Sequence, residues 1–426
     1  RAKAYADAGA KQISILTESH FFKGSLEDLV AVASQDFDVA LLRKDFLQHE
    51  DEIDVSWRAG ADAVLLIARI LPLGTLSRMC RRCRELGMTR FVEVREEQDL
   101  EKLDRVCAEG TVVAGVNSRD LQTFRTDMLV PALMRKRISC KAVFESGATD
   151  PRHAVYAGRL GFDGLLVGEA VSRDAGGARR FVKAFSSATS DRSGEFWCNI
   201  ASRKHLKGRF PLVKICGLTN LADAKAAAAE GADLLGFIFA KSPRAATADL
   251  VLQCRVFVEE SEEPIRPLLI GVVTSLDDEA GRQALRLAET GVLDALQLHG
   301  SDAPAMLEEI DRTGTGIGRY AVVSLGSAGD VFGEQVLIDA GEPRVLCDAK
   351  VGDQSGGTGT LIADAIMEAR KVQVPLWLAG GLGPDNIHRI IMRYRPELID
   401  ASSSLESEPG RKDIGKLRAF FKEVSL

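Results

Sequence analysis

One lysine and one cysteine stand two positions apart in the apolar run LVKICGLTN, where Lys214 and Cys216 precede Gly217. Side chains two apart on a strand share a face, so both point to the same side. A thiol with a pKa near ~8.5 needs only modest stabilisation to supply thiolate near neutral pH. A packed core cysteine is the alternative. The paired lysine, the glycine and the strand-end position favour a functional thiol.

A carboxyl group ends another predicted strand, VLCDAK, in which alternation turns Leu346 and Asp348 to one face and Cys347 to the other. We therefore assign Cys347 to packing and Asp348 to proton transfer. Asp348 ends the sixth of eight predicted strands, so it stands across from Cys216 if these strands close into a barrel. Two such groups can take up and deliver protons on opposite sides of a bound molecule, each contributing on the order of 10²–10⁴-fold.

Glycine and serine runs follow the last strands of the second half, in GGTGT, LAGGLGPDN and DASSSLE. Exposed backbone N–H groups at such positions hold phosphate in barrel proteins. The residues that this pattern assigns to a phosphate are Gly357, Gly359, Gly380, Gly381, Ser402 and Ser403. Arg244 lies in a loop beyond the second strand, where it can make a two-pronged contact with a carboxylate or stay an ordinary solvated arginine.

Polar residues also end the strands of the first half, notably Lys44 and Glu93. A lysine and a glutamate on neighbouring inward-facing strands can shift each other's proton affinity, which suits acid and base catalysis. A buried salt bridge that only fixes packing is an equal alternative on this pattern. The other polar and glycine positions at these strand ends are Glu18, Asn117, Arg119, Glu145, Ser146, Gly168 and Glu169.

The elements that must position these groups alternate between short β-branched or leucine-rich runs and helical stretches. This alternation is typical of a parallel sheet with crossover helices. Seven strands in the first half and eight in the second predict an α/β protein with two tandem (β/α)₈ TIM barrels, the first lacking its first strand–helix unit. We place the barrels at residues 1–190 and 208–426, with a linker at 191–207. A doubly wound open sheet stays possible for the first half, but no G-x-G-x-x-G follows a strand there.

Composition excludes several classes of partner. The 426 residues are 46% hydrophobic and 27% charged with a formal net charge of −6, which leaves no basic excess for nucleic acid. No apolar run approaches the roughly 20 residues of a membrane span, so we predict a cytoplasmic protein without membrane contact. The eight scattered cysteines predict reduced thiols, and the C-x-x-C of MCRRC is a coincidence on a surface helix rather than a metal site. Because the chain begins with Arg1 inside a helical pattern, we expect a longer polypeptide.

The motifs LVKICGLTN, FIFAKSPR, QLHG, LCDAK with GGTG, LAGGLGPDN and IDASSSLE resemble, in order, those of phosphoribosylanthranilate isomerase. The resemblance implies that Cys216 is the general base and Asp348 the general acid of an Amadori rearrangement, which needs no cofactor and no metal. It also implies that Arg244 holds the anthranilate carboxylate, that His299 binds substrate and that Asp400 lies near the substrate amine. This sequence departs from the family at Ser404, where glycine is common, and lacks the aromatic residues common after GGTG.

The first half, through ISILTESHFFKGS, LLRKDFL, FVEVRE, GVNSRDL, FESGA and LLVGEAV, resembles indole-3-glycerol phosphate synthase. There the resemblance implies that Lys44 is a general acid and Glu93 the general base. It assigns Phe22, Phe46, Asn117, Arg119, Glu145 and Ser146 to the substrate, and Gly147, Gly168 and Glu169 to its phosphate, with Glu169 standing where other members have serine.

The family motif E-x-K-x-x-S-P-S of the first strand is absent, so we expect weak or no synthase activity from this chain. A bifunctional tryptophan-biosynthesis enzyme acting on phosphosugar–anthranilate substrates is thus the leading hypothesis. Alternatives are a first half that only stabilises the isomerase, and an unrelated pair of phosphosugar-binding barrels. Resemblance to fungal fusions also implies an upstream glutamine amidotransferase segment.

Overall fold

Alternating strands and helices build two units, Arg1–Ser190 and Asp191–Leu426, in a computed structural model of the chain. The structure describes residues 1–35, 37–120, 122–173, 177–263, 265–325, 331–348, 370, 372 and 374–426. The predicted α/β class with two tandem sets of parallel strands is confirmed. None of the helices in the described part of the chain is both long enough and apolar enough to span a lipid bilayer.

The first unit is a seven-stranded parallel sheet whose strands pair in sequence order, as predicted. Its middle strands are buried on both faces, while the outer two have half-buried or exposed positions, since each pairs with one neighbour among the described residues. The strands are β1 (Gln12–Leu16), β2 (Ala40–Lys44), β3 (Ala63–Ile67), β4 (Thr89–Val94), β5 (Val113–Asn117), β6 (Lys141–Glu145) and β7 (Gly164–Leu166).

Side-chain caps set where several helices of the first unit begin. The Ser25 hydroxyl accepts a hydrogen bond from the Asp28 backbone N–H, and Asp150 accepts from Arg152 before Pro151 opens its helix. The helices are Ala2–Asp7, Leu26–Ala33, Asp51–Arg58, Leu73–Glu85, Glu97–Ala108, Leu129–Arg135, Pro151–Arg159, Glu169–Arg173 and Ala178–Ser186.

The second unit is a closed barrel in which all eight strands are parallel and the eighth pairs with the first. A two-stranded ribbon follows the last barrel strand. The barrel strands are β8 (Leu212–Ile215), β9 (Leu234–Phe239), β10 (Leu268–Val273), β11 (Ala295–Leu298), β12 (Gly318–Ser324), β13 (Leu346–Asp348), β14 (Trp377–Ala379) and β15 (Leu398–Ala401), and the ribbon is β16 (Glu406–Glu408) with β17 (Arg411–Lys412).

The helices of the second unit surround the barrel and cover its outward-facing side chains. Asn220, Thr247, Asp278 and Asp413 each cap the helix that follows them. The described helices of this unit are Arg192–Lys207, Leu221–Ala229, Ala248–Glu260, Glu279–Glu289, Ala303–Thr313, Val331–Asp339, Ile387–Tyr394 and Ile414–Val424, with a 3₁₀ turn at Ser403–Leu405.

The predicted linker at 191–207 is wrong. Arg192–Lys207 is a helix of the second unit, capped by Asp191, whose side chain accepts a hydrogen bond from Gly194. Phe196 stacks on Tyr320, and Trp197 lies 5.8 Å from Trp377 between ring centroids, so the helix buries aromatic side chains against the barrel. Serine, glycine and basic residues suggested irregular chain, but the apolar side chains recur at helical spacing.

Alternation along the barrel strands decides which side chains line the interior. Val213, Ile215 and Cys347 belong to the apolar layer that also contains the surrounding helices. Their neighbours in sequence therefore face inward, among them Lys214, Cys216 and Asp348. The assignment of Cys347 to packing is confirmed by its place in this layer.

Candidate active sites

The interior of the second barrel carries a lysine–carboxylate pair directly beneath the predicted catalytic thiol. Lys214 Nζ donates to Asp400 Oδ2 at 2.6 Å, and both side chains are buried. Gly236 leaves the space that the thiol needs, because a Cβ there would lie 2.7 Å from Cys216 Sγ. Asp400 Oδ1 is buried without a hydrogen-bond partner among the described residues, so it is an open acceptor.

Two opposing influences act on the Cys216 thiol. Burial raises its pKa above the usual range, while the ammonium groups of Lys214 and Lys412 pull it down. Lys214 itself has a raised pKa, because the Asp400 carboxylate and the Cys216 sulfur outweigh its burial. The lysine thus stays charged and favours the thiolate when the thiol loses its proton.

Asp348 lies at the carboxyl end of β13 on the interior side, as predicted. Its Oδ2 is 3.8 Å from His299 Nε2, and its charge reaches Asp400 closely enough to disfavour ionisation there. Asp400 is also within electrostatic reach of Cys216. Asp400 is therefore within electrostatic reach of both the predicted acid, Asp348, and the predicted base, Cys216, at one end of the barrel.

Arg244 is not an ordinary solvated arginine. Its Nε contacts both oxygens of Glu406 at 2.9 and 3.0 Å, and Nη2 lies 2.8 Å from Oε2. Lys412 Nζ holds the same carboxylate at 3.1 Å and also donates to the Cys216 carbonyl at 2.7 Å. This pairing occupies one edge of the guanidinium and leaves N–H groups of Nη1 for a second carboxylate.

Sequence reasoning missed Glu406 and Lys412, which lie on the β16–β17 ribbon beyond the last barrel strand. Gly217 belongs to the same cluster, since at φ +75° a Cβ would lie 2.9 Å from Ser402 Oγ and 3.0 Å from Arg244 Cδ. The available signal was a glutamate two residues after the serine run, followed by a lysine six residues later.

The predicted phosphate residues are partly described. Gly380 and Gly381 follow β14 with positive φ angles, and Ser402 follows β15, where its hydroxyl donates to the Cys216 carbonyl at 3.0 Å. Ser403 begins the 3₁₀ turn. These four positions lie after neighbouring strands at the carboxyl end of the barrel. Gly357 and Gly359 lie outside the described residues.

The first unit brings its predicted acid and base together. Lys44 Nζ lies 2.9 Å from Glu145 Oε2 and 3.7 Å from Glu93 Oε2, and Asn117 Nδ2 donates to Glu93 Oε1 at 3.1 Å. Gly115 makes room for this cluster, because a Cβ there would collide with Glu145 Oε1. That oxygen is buried and has no hydrogen-bond partner among the described residues.

Burial and neighbouring charges shift the pKa values of both Glu93 and Lys44. Burial and the Glu145 carboxylate raise the pKa of Glu93 to about 7, against the attraction of Lys44. Burial would lower the pKa of Lys44, but Glu145 and Glu93 outweigh it and raise that pKa. A lysine that stays protonated beside a glutamate that titrates near neutrality suits an acid and a base.

The remaining predicted residues of the first site form a more open rim. Arg119 lies 4.0 Å from Glu169, and both side chains are exposed. Ser146 has φ +66° and its carbonyl accepts from the Ser118 hydroxyl, followed by Gly147 at φ +74°.

Other parts of this rim are an aromatic pair and a glycine. Phe22 and Phe46 stack at 6.2 Å between ring centroids, with both rings exposed, and Gly168 has open space at its Cβ position. Among the described residues, no group of three or more His, Cys, Asp or Glu is placed to hold a metal ion.

Comparison with known proteins separates the chain into the same two parts. The family model described as indole-3-glycerol phosphate synthase matches residues 1–185, and that of N-(5'phosphoribosyl)anthranilate isomerase matches residues 213–423. Tryptophan biosynthesis protein TRP1 of Phytophthora nicotianae is 32% identical over 476 residues, covering 99% of this chain and 86% of that protein. The chain belongs to this family of tryptophan biosynthesis proteins.

Other relatives in this family are longer or shorter than the chain. The multifunctional tryptophan biosynthesis protein of Schizosaccharomyces pombe is 30% identical, with all of this chain matching 56% of its length. The N-(5'-phosphoribosyl)anthranilate isomerase of Thermosynechococcus vestitus is 34% identical over 216 residues, covering 50% of this chain and 90% of that protein. The chain therefore spans little more than half of the fungal relative, and its second unit spans nearly all of the isomerase.

Proposed function

We propose that the second unit catalyses the Amadori isomerisation of N-(5'-phosphoribosyl)anthranilate to 1-(o-carboxyphenylamino)-1-deoxyribulose 5-phosphate. The observation that carries the proposal is the placement of Cys216 and Asp348 on interior-facing strand ends, each within electrostatic reach of the Asp400 carboxylate. Both groups therefore lie on different strands at the carboxyl end of one barrel, which suits proton transfer at two positions of one sugar.

In this mechanism Asp348 donates its proton to the furanose ring oxygen. The C1′–O bond breaks and the anthranilate nitrogen supplies electrons to form a Schiff base. The Cys216 thiolate then removes the C2′ proton, which gives an enolamine that tautomerises to the ketone. Asp400 Oδ1 accepts a hydrogen bond from the N–H of the substrate amine, and the charge of Lys214 stabilises the thiolate.

The substrate is held at its two anionic ends. The Nη1 edge of Arg244, which the pairing with Glu406 leaves unoccupied, receives the anthranilate carboxylate, while Glu406 fixes the guanidinium plane. His299 contacts the sugar beside Asp348. The phosphate binds the backbone and hydroxyl donors of Gly380, Gly381, Ser402 and Ser403. The assignment of Gly357 and Gly359 to the same phosphate stays a prediction from the sequence.

We further propose that the first unit closes the indole ring of the isomerase product with loss of CO₂. Lys44 serves as general acid and Glu93, which titrates near neutrality, as general base. Glu145 Oε1 offers an acceptor to the substrate, Asn117, Arg119 and Ser146 contact it, and the Phe22–Phe46 pair covers its ring. Its phosphate binds the backbone N–H groups at Gly147, Gly168 and Glu169.

The experiment measures each reaction separately on the purified chain. Cys216→Ala and Asp348→Asn should each lower isomerase kcat by at least about 10²-fold while synthase rates stay unchanged. Lys44→Met and Glu93→Gln should do the reverse. Isomerase activity that persists in Cys216→Ala would exclude the thiol as base.

The same assay tests the first unit as a whole. Because the E-x-K-x-x-S-P-S motif is absent, we expect a weak synthase rate, which Lys44→Met and Glu93→Gln should abolish. Robust turnover would overturn the expectation of weak activity, and no turnover at all in the unsubstituted chain would overturn the proposal that this unit closes the indole ring. A stabilising, non-catalytic first unit is not favoured, because the Lys44–Glu93–Glu145 cluster and the family match support catalysis. The upstream amidotransferase segment and the cytoplasmic location stay predictions.

A further inference from the structure

One buried lysine of the β16–β17 ribbon contacts three different parts of the second site. Lys412 Nζ donates to the carbonyl oxygens of Cys216 and Ser402, at 2.7 and 3.1 Å. It also donates to Glu406 Oε1 at 3.1 Å, and the Lys412 side chain is fully buried. An ammonium group has three N–H donors, so each of these donors has one acceptor. A neutral amine, with two N–H groups, could not serve all three, and the contacts therefore require the charged form.

Backbone contacts fix the place of this ammonium. Glu406 and Lys412 are paired across the antiparallel ribbon, so their side chains leave the same face of it. The Lys412 backbone N–H donates to Asp223 Oδ2 at 2.7 Å, which attaches β17 to the helix Leu221–Ala229. Asp223 is itself held by Asn220, whose Nδ2 donates to the same oxygen at 2.9 Å. The lysine therefore enters the site from an anchored strand.

The turn of the ribbon packs against the two loops that carry Cys216 and Arg244. Gly410 lies in that turn at φ +86°, and a Cβ there would lie 3.1 Å from Thr219 Cγ2 and 3.3 Å from the Pro243 carbonyl oxygen. Thr219 lies three residues after Cys216, and Pro243 directly precedes Arg244. The ribbon is therefore seated on both loops at once, where one side chain from it can hold them together.

Each acceptor of Lys412 belongs to a different part of the proposed mechanism. The Cys216 carbonyl is in the residue whose thiol removes the C2′ proton, and the Ser402 carbonyl opens the 3₁₀ turn that receives the phosphate. The Glu406 carboxylate orients Arg244 toward the anthranilate carboxylate. Because each N–H of the ammonium already has an acceptor, Lys412 acts through these groups and not on the substrate itself.

We propose that Lys412 is a positioning residue of the isomerase reaction, whose ammonium holds the thiol-bearing loop, the phosphate-binding turn and the Glu406 carboxylate at fixed distances from one another. This inference rests on the proposed function of the second unit. A displacement of about 1 Å from the productive geometry can cost on the order of 10²-fold in rate. One buried point of attachment to all three parts removes that freedom before the substrate binds.

The charge of Lys412 has a second effect, on the Cys216 thiol. Lys412 and Lys214 favour the thiolate, whereas Asp400 opposes it. Burial lowers the pKa of Lys412 itself, and the Glu406 carboxylate acts in the other direction. Loss of the ammonium should therefore raise the pKa of Cys216 further. The charged and titratable groups within electrostatic reach of this thiol are Lys214 on β8, Arg244 beyond β9, Tyr320 on β12, Asp400 on β15 and Lys412 on β17.

The test replaces Lys412 by methionine in the full chain, which keeps an unbranched side chain and removes all three donors. We expect Lys412→Met to fold, because every acceptor keeps another donor, and thermal unfolding checks this at the assay temperature. The remaining donors are Ser402 Oγ at the Cys216 carbonyl, the Leu405 N–H at the Ser402 carbonyl and Arg244 at Glu406.

The kinetics of Lys412→Met should show losses in both constants. Isomerase kcat should fall by roughly 10–10²-fold, because the thiol-bearing loop is displaced. KM should rise by roughly 10-fold, because Arg244 and the phosphate-binding turn lose a hydrogen bond from a charged group. The rising limb of the pH profile of kcat/KM should also move to higher pH.

The matched control is Lys416→Met. The exposed Lys416 donates to the Glu406 backbone carbonyl at 2.7 Å, so this variant also removes a lysine contact from the ribbon. Its kcat, KM and pH profile should stay within about twofold of the wild type. A second variant, Lys412→Gln, keeps N–H donors without the charge, so kcat should recover in part while the pH profile stays shifted.

The outcomes separate this inference from the proposed function. Wild-type kcat, KM and pH profile in Lys412→Met, together with an inactive Cys216→Ala, would overturn the inference and leave the function standing. A lower Tm with unchanged kinetics, or failure of both Lys412 variants to fold, would make Lys412 a structural residue and overturn it too. Absence of isomerase activity from the unsubstituted chain would refute the proposed function, and this inference with it.

Discussion

Replacing Glu406 by glutamine tests whether this carboxylate fixes Arg244 for substrate binding. Glu406 contacts Arg244 Nε and Nη2 and Lys412 Nζ, all between 2.8 and 3.1 Å. Hydrogen bonds to charged groups contribute about 1.5–3 kcal/mol each, and the amide keeps one acceptor oxygen, so we expect a loss of about 2 kcal/mol in substrate binding. This corresponds to roughly a 30-fold increase in KM for the isomerase reaction. Because the anthranilate carboxylate does not react, kcat should change little.

The control is Glu408→Gln on the same strand, β16. Glu408 is exposed and pairs with Arg411 at 3.6 Å, so its loss should change KM by less than about twofold. Initial rates over a range of substrate concentration give KM and kcat for both variants, and thermal unfolding verifies that Glu406→Gln is folded at the assay temperature. In an Arg244→Lys background, Glu406→Gln should add little. Equal KM values for the two glutamine variants would refute the reasoning, and a loss confined to kcat would place Glu406 with Cys216 instead.

Three further predictions concern proton affinity and packing. Burial raises the pKa of Cys216, so kcat/KM of isomerisation should keep rising with pH through the usual thiol range near ~8.5, and a plateau at acidic pH would contradict a thiolate base. Burial raises the pKa of Glu93 to about 7, so the stability it contributes is present below its unfolded pKa of about 4.3 and is lost as pH rises through about 7. Denaturant unfolding should therefore show the wild type losing stability relative to Glu93→Gln across that window, and a constant difference would contradict it. Arg344→Met removes the guanidinium that holds the Glu397 carboxylate at 2.6 and 3.1 Å and leaves it the Trp377 indole N–H at 2.8 Å, so it should cost about 3 kcal/mol in the free energy of unfolding, against no measurable cost for the exposed Arg411→Met.

The sequence predicts strand-borne side chains better than it predicts their partners. The two-residue period put Lys214, Cys216 and Asp348 on the interior face because strand alternation is local. The partner of Arg244 is 162 residues away on a ribbon that no barrel pattern includes, so local reasoning left the arginine between two interpretations.

At residues 192–207 the sequence composition led to a wrong prediction, a linker where the structure has a helix. Its Ser, Gly and basic residues have the composition of a linker, yet Asp191 caps it and Phe196 and Trp197 anchor it to the barrel. Composition weighs every residue equally, whereas helix stability here depends on a few buried side chains. Period-3.6 spacing of those side chains was the stronger signal.

Both candidate sites contain a buried carboxylate that is only half satisfied. One oxygen of Asp400 pairs with Lys214 and one oxygen of Glu145 pairs with Lys44, while Asp400 Oδ1 and Glu145 Oε1 lack partners among the described residues. An unpaired buried acceptor costs about 1–3 kcal/mol, so packing alone gives no reason to keep it. A substrate N–H or O–H that reaches this oxygen recovers that free energy on binding. The paired lysine already fixes the plane of the carboxylate, so the acceptor oxygen needs no rearrangement when the substrate binds. At both sites the free energy that the unpaired oxygen costs the folded protein is therefore recovered as substrate affinity.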